Sequence, residues 1–387
     1  MTTALISPVV LHWARERARL DPERLAEKAH VNPGKLLLWE QGETKPTFKQ
    51  ALDLANALHI PFGFLFLPQP PEETWPIPDL RTVGDHATDS LSVDLRDVLA
   101  DVLRKQDWYR DYLLEQGAEP LSFIGRFDLN APATDIIADL MATLDLRCAD
   151  REEVKNSEAF LSLLVEKAEA VGVWVMRSGI VGNNTHRILN VQEFRGFAIC
   201  DDIAPVVFIN GKDAKAAQIF TLVHELAHLW IGQSGISNLS LAEPANASHR
   251  RTEQLCNAVA AEVLAPRQIL CERWNAQESV DENAVRLVNI LRVSSVVVAR
   301  RAFDLGLIEW PAYSEYYQRQ VKRWRQEKKG SGGGDPYRTI PVRNGRRFTE
   351  AVVHSAFARS LLLRDAGKLI GVNPAKMSRL AQEIGIE

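Results

Sequence analysis

Apolar positions along this chain fall mainly at helical spacing, and only one short stretch clusters β-branched and aromatic residues as strands do. Between residues 8 and 67 the pattern predicts five short helices, the first from Pro8 to Arg19. The second opens on Asp21-Pro22-Glu23 as N-cap, first-position proline and first-turn acid, and runs to Ala29. Val31-Asn32-Pro33 turns the chain into a third, ending at Glu40-Gln41-Gly42. A fourth buries Ala51, Leu54, Ala55 and Leu58, and Ile60-Pro61-Phe62 leads into a fifth. Two helices across so short a turn make a helix-turn-helix.

Pro68 to Pro78 reads as a proline-rich linker. Helices are expected from Asp94 to Gln116, with Trp108, Tyr109 and Tyr112 packing on one side, and from an N-cap at Thr134 to Leu146. A third runs from Glu152 to Val171 and ends at Gly172. Strands are expected only at Val173 to Met176, Phe194 to Cys200 and Val206 to Ile209. An apolar helix follows, with Asp213 as N-cap and Gly232 as its stop, then a helix from Thr252 to Leu264 closed by Pro266. Asp281 to Ile308 holds two helices broken at Val293-Ser294-Ser295, and Tyr316 to Lys329 is a basic helix. A glycine-rich hinge at residues 330–334 precedes a last module with helices near Arg347 to Leu362, Asp365 to Ile370 and Ala375 to Glu383. The fold class expected is mostly α with a small β-sheet (α+β). Its parts are a helix-turn-helix domain (1–70), a linker and connector (71–150), a core holding the strands and the apolar helix (151–310) and a basic helical module (311–387).

At 387 residues the chain can bury real cores, and its composition is that of an ordinary globular protein. Neither a signal-peptide pattern nor an apolar run long enough to span a bilayer is apparent, and Cys148, Cys200, Cys256 and Cys271 show no paired spacing. A reduced cytoplasm, no membrane, and cysteines acting as small buried hydrophobes are the expectations. The net charge of -4 hides an asymmetry: Arg319 to Glu387 carries 15 basic against 6 acidic residues. A basic tail on an acidic body suggests DNA or an acidic partner.

The first helix-turn-helix is poorly charged for that task, since residues 1–70 carry eight basic and seven acidic residues. Asn32, Gly34 and Lys35 are its candidate DNA-facing residues, yet of Gly34, Lys35, Leu37 and Leu38 only Lys35 can hydrogen-bond a base. Val372-Asn373-Pro374-Ala375-Lys376 echoes Val31-Asn32-Pro33-Gly34-Lys35, so Lys376 and Arg379 form a second candidate contact. A dimer on two half-sites is the assembly such modules favour.

The strongest chemical signal is His224-Glu225-Leu226-Ala227-His228 within the apolar helix. A helix returns to one face after four residues, so the two imidazoles stack as two corners of a tetrahedral zinc site, with Glu225 beside the open corner. The metzincin extension is excluded, because Ile231 and Ser234 stand where its glycine and third histidine belong. Glu253 and Glu262 lie half a turn out of phase on the next helix, so only one can face the histidines. Glu253 is preferred because Cys256, Asn257 and Ala260 on its face let two helices approach; Glu262 and His249 remain alternatives. Arg195-Gly196-Phe197 is the candidate sheet edge on which a peptide adds as a strand.

Two resemblances follow from these motifs. Leu25-Ala26, Val31-Asn32, Leu36, Trp39-Glu40-Gln41-Gly42 and Pro46-Thr47-Phe48 resemble the phage-repressor-like (XRE-type) helix-turn-helix. Glu193-Phe194-Arg195-Gly196-Phe197-Ala198, Phe220 to His228, and Glu253-x-x-Cys256-Asn257-x-Val259-Ala260-Ala261-Glu262 with Leu264 and Pro266 resemble the ImmA/IrrE family of zinc metallopeptidases over roughly 155 to 310. Cys256 stands where that family usually has alanine, and Val259 where it often has phenylalanine. The resemblance implies His224, His228 and Glu253 as ligands of Zn2+ and Glu225 as catalytic base. It also implies a partner that is either a regulatory protein, cleaved as substrate, or a toxin that the chain neutralises.

Overall fold

Helix starts in the first sixty residues are written in their capping side chains. Ser7, Asp21, Asn32 and Thr47 each accept a backbone N–H of the turn that follows, and proline stands at the start of three of those helices. The computed structural model describes residues 2–72, 91–147, 149–237, 250–327 and 335–386. They divide into two compact units, with the boundary at Asp101. The first contains α1 (Pro8–Arg17), α2 (Pro22–Lys28), α3 (Pro33–Glu40), α4 (Phe48–Leu58) and a 3-10 turn (Phe62–Phe66) around Leu11, Leu25, Leu36, Trp39 and Leu54. The boundary falls inside α5 (Val93–Glu115).

The second unit holds α6 (Ala133–Thr143), α7 (Asp150–Glu153) and α8 (Ser157–Ala170), then β1 (Trp174–Ser178), β2 (Ile180–Val181), β3 (Asn184–Ile188), β4 (Gly196–Ile199) and β5 (Val206–Asn210). After α9 (Lys215–Trp230) and β6 (Gly235–Ser237) come α10 (Arg250–Leu264), α11 (Arg267–Arg273), α12 (Val280–Leu291), α13 (Ser295–Asp304) and α14 (Trp310–Glu327). The last helices are α15 (Pro336–Asn344), α16 (Arg346–Phe357), α17 (Leu363–Ile370), a 3-10 turn (Pro374–Lys376) and α18 (Met377–Ile384). The fold is mostly helical with a small mixed sheet, the α+β class expected. Among the described residues no helix is long and apolar enough to cross a membrane.

Several element boundaries differ from expectation for local reasons. Thr134 lies inside α6, whose N-cap is Pro132. The helix expected over 152–171 is two, because the Asn156 side chain accepts the Ala159 N–H and starts α8 afresh. Asp213 does not cap α9; the N-cap is Ala214, and the Asp213 carboxylate is held by Arg195 at 2.8 Å. Pro341 inside α15 masked that helix in the sequence. β2, β3 and β6 are too short for a periodic signal. Residues 73–78 of the expected linker and the glycine-rich hinge lie outside the described residues. Of the cysteines, Cys256 is buried and Cys200 half-buried, but Cys271 is exposed, and Cys148 lies outside the described residues.

The four-stranded sheet has the order β1-β5-β4-β6, parallel between β1 and β5 and antiparallel elsewhere. Its apolar face and α8, α9 and α10 share one core containing Val175, Val207, Leu222, Leu226, Cys256 and Val259. The C-terminal helices join the same unit at β1. There Trp174 stacks on Phe348 of α16 at 4.6 Å, and Tyr109 meets both rings edge-on. Trp108, Tyr109 and Tyr112 thus serve packing. Buried Asn344 ties the junction: its Nδ2 donates to Ile340 O and Ile370 O, and its Oδ1 accepts from Lys105 Nζ.

Candidate metal centre

α9 is apolar nearly all round because the sheet lies on one side of it and helices on the other, so every residue from Gln218 to Trp230 is buried. Gly232, with φ of +66°, ends the helix in a left-handed turn, and Gln233 N–H bonds back to His228 O at 3.0 Å. That turn also carries Gln233 O to 3.1 Å from His228 Nδ1. A carbonyl can only accept, so the ring proton sits on Nδ1 and the Nε2 lone pair is left for another purpose.

His224 and His228, one turn apart, bring their Nε2 atoms to 3.1 Å from each other. Glu253, in the first turn of α10, places one carboxylate oxygen 3.2 Å from His224 Nε2 and the other 3.1 Å from His228 Nε2. Three donor groups therefore converge on one point from two helices. Donors around a tetrahedral zinc with bonds near 2.0–2.1 Å stand about 3.3 Å apart, so this triad matches the ion's radius and its preference for two imidazoles and a carboxylate. Glu262 is turned elsewhere: it accepts the Arg267 N–H at 3.0 Å and pairs with Arg301. His249 and the Arg250 side chain lie outside the described residues.

Electrostatics suit the same reading. Burial pushes His224 down, which keeps the imidazole neutral despite the opposing pull of Glu253. Burial alone would raise Glu253, but the two histidines outweigh it and hold the carboxylate well below its ordinary range. Glu225 goes the other way: burial, then the Glu253 charge, push its carboxyl well up. Both Glu225 oxygens and Ser237 Oγ lack a hydrogen bond although buried. Such orphaned groups mark a place where polar ligands belong.

Gly196 lets this helix lie on the sheet. A Cβ there would stand 2.5 Å from Thr221 Cγ2 and 2.9 Å from Glu225 Oε1. The same residue corrects an expectation. β4 is not an edge, because Gly196 and Phe197 pair with Ile209 and Phe208 on one side and with Ser237 and Ile236 on the other. Arg195 N–H also bonds Ser237 O at 3.1 Å, while its guanidinium holds Asp213. The three-residue strand β6 covers the segment, leaving β6 outermost in the sheet.

Residues 168–303 match the family model of the IrrE N-terminal-like domain. That model describes a peptidase family, and the triad and Glu225 all lie inside the matched stretch. A second model, described as a domain of unknown function, matches residues 344–383. No curated protein and no solved structure matches the chain.

The remaining candidate residues lie on other elements. Asn32 spends its side-chain oxygen on capping Gly34 N at 2.9 Å, and Gly34 and Lys35 are exposed at the start of α3. Lys376 and Arg379 are exposed on the last helical turn and α18, with Arg379 stacked over Tyr337. Ser237 and Asn344 were not singled out by the sequence, since a lone serine or asparagine carries no pattern.

Proposed function

We propose that the IrrE-like domain is a zinc-dependent endopeptidase acting on one regulatory protein. The observation that carries the reading is a buried carboxylate without partners, Glu225, beside a triad whose donors meet at zinc spacing. His224, His228 and Glu253 would hold the ion. Zinc, when bound, supplies Lewis acidity that polarises a carbonyl and acidifies water.

The chain's own residues do the rest. Glu225, its proton affinity raised by burial, takes the proton of the attacking water and returns it to the departing amine. His228 is fixed in one tautomer by Gln233 O, and Gly196 lets the sheet lie against Glu225. Residues 22–40, which the sequence reads as a helix-turn-helix and which form α2 and α3, support a regulator as the target.

A second reading makes the chain a DNA-binding repressor or an antitoxin-like protein whose metal site is structural. It is favoured by one observation: His224, Glu225 and His228 have 0% exposure. Glu225→Gln separates the two. On the peptidase reading the variant keeps zinc, measured by elemental analysis, and loses the cleavage of a repressor-type regulatory protein that the parent chain shows. Equal cleavage by the variant refutes the mechanism, and no cleavage by the parent chain favours the structural site.

A further inference from the structure

One corner of this protein is built twice. At the end of α2, His30 takes a left-handed φ of +54°, Val31 N–H bonds Ala26 O at 2.9 Å, Asn32 Oδ1 accepts the Gly34 N–H, and Pro33 opens α3. At the end of α17, Gly371 takes φ of +72°, Val372 N–H bonds Gly367 O at 2.8 Å, Asn373 Oδ1 accepts the Ala375 N–H at 3.0 Å, and Pro374 opens the turn into α18. The inward residues keep the same register. Leu25, Leu36 and Trp39 are buried in the first corner, and Ala366, Met377 and Leu380 in the second. α16 packs on both α17 and α18, completing a three-helix support with Val352 and Val353 buried. A helix, a three-residue turn holding a left-handed residue and a second helix on such a support make a helix-turn-helix.

The two corners differ in what they present to solvent. Residues 20–43 carry three basic against five acidic residues, and exposed positions of α3 offer Gly34, Lys35 and Leu37. Residues 359–386 carry five basic against two acidic residues. There the second helix and its opening turn expose Lys376, Ser378, Arg379 and Gln382, and the first exposes Arg364 and Lys368. Lysine and arginine neutralise phosphates, while arginine, serine and glutamine hydrogen-bond base edges in the major groove. Arg379 lies over the Tyr337 ring at 4.5 Å, which orients its guanidinium.

We propose that the C-terminal helix-turn-helix, α17 to α18, is a duplex-DNA-binding module of this protein, with Arg379 on its reading helix, Lys376 on the turn that opens it, and Arg364 and Lys368 as phosphate contacts. Charge complementarity selects the occupant: duplex DNA carries a charge about every 1.7 Å of axis, and this corner is the basic one of the pair. The proposal does not depend on the metal centre.

The test uses the full chain and a short fluorescent DNA duplex of mixed sequence, read by anisotropy across a salt series. The expected result is binding that weakens steeply with salt. Joint Lys376→Ala and Arg379→Ala should weaken it about tenfold or more and flatten the salt slope, with the circular dichroism melt unchanged. Lys35→Ala should leave it as in the parent chain. No binding at low salt overturns the proposal. So does weakening by Lys35→Ala alone, or preferential capture of an RNA duplex.

Discussion

Gly196→Ala tests how closely the sheet and the histidine helix must approach. The added Cβ meets three groups at once: Thr221 Cγ2 at 2.5 Å, Glu225 Oε1 at 2.9 Å and Phe208 O at 2.9 Å. Ordinary carbon contacts lie near 3.5–4.0 Å, so strand and helix must part by about 1 Å. Little in the surroundings can yield. Phe208 lies in β5, paired on both sides, and Thr221 is β-branched with Oγ1 bonded to Ala217 O at 3.2 Å. Overpacking of a filled core costs typically about 1–3 kcal/mol, and rigid neighbours place this case at the upper end, about 3 kcal/mol. Urea unfolding followed by far-ultraviolet circular dichroism reads it as a lower midpoint at constant slope. Gly63→Ala is the control, since a Cβ there would meet nothing within 4 Å and should change stability by less than about 1 kcal/mol. A cost below about 1 kcal/mol for Gly196→Ala, or an equal cost for both, would refute the close-approach argument.

Three further perturbations address the site and the C-terminal junction. Glu253→Ala removes a carboxylate 3.1–3.2 Å from both imidazoles, and should weaken zinc binding by on the order of 100-fold or more in a chelator competition. Asn344→Ala strips Lys105 and two buried carbonyls of a partner and should cost about 3 kcal/mol in the same urea assay. Glu169, whose carboxylate accepts the Arg346 N–H at the start of α16, is pushed by burial from 4.5 to about 7. The folded carboxyl thus holds its proton more tightly than the unfolded one. Its contribution is complete below about pH 4.5 and lost as the pH rises through about 7, at most about 3 kcal/mol. Glu169→Gln should flatten stability over that window; an unchanged pH profile would contradict it.

Local rules accounted for what is local in this protein. Capping at Asp21, Asn32 and Thr47 is chemistry between neighbours, and so is the left-handed stop at Gly232. The His224 and His228 pair needs only the helical period, and helical phase preferred Glu253 over Glu262. The echo of Val31-Asn32-Pro33 at Val372-Asn373-Pro374 was a faint repeat in the sequence. It became a shared corner once backbone angles and hydrogen bonds could be compared.

Expectations failed where a neighbour distant in sequence intervened. Arg195-Gly196-Phe197 reads as an edge until β6, nearly forty residues later, pairs with it. Asp213 reads as a cap until Arg195 claims its carboxylate. By itself the sequence determined the α+β class, the short capped helices of the first sixty residues and the two imidazoles on one face, because each depends on contacts within a few residues. Only the tertiary structure decided which strand lies outermost, that Glu253 meets both histidines, and that the C-terminal helices close over Trp174. Those contacts join segments whose sequences carry no mark of each other and meet only when burial of their shared apolar surface brings them together.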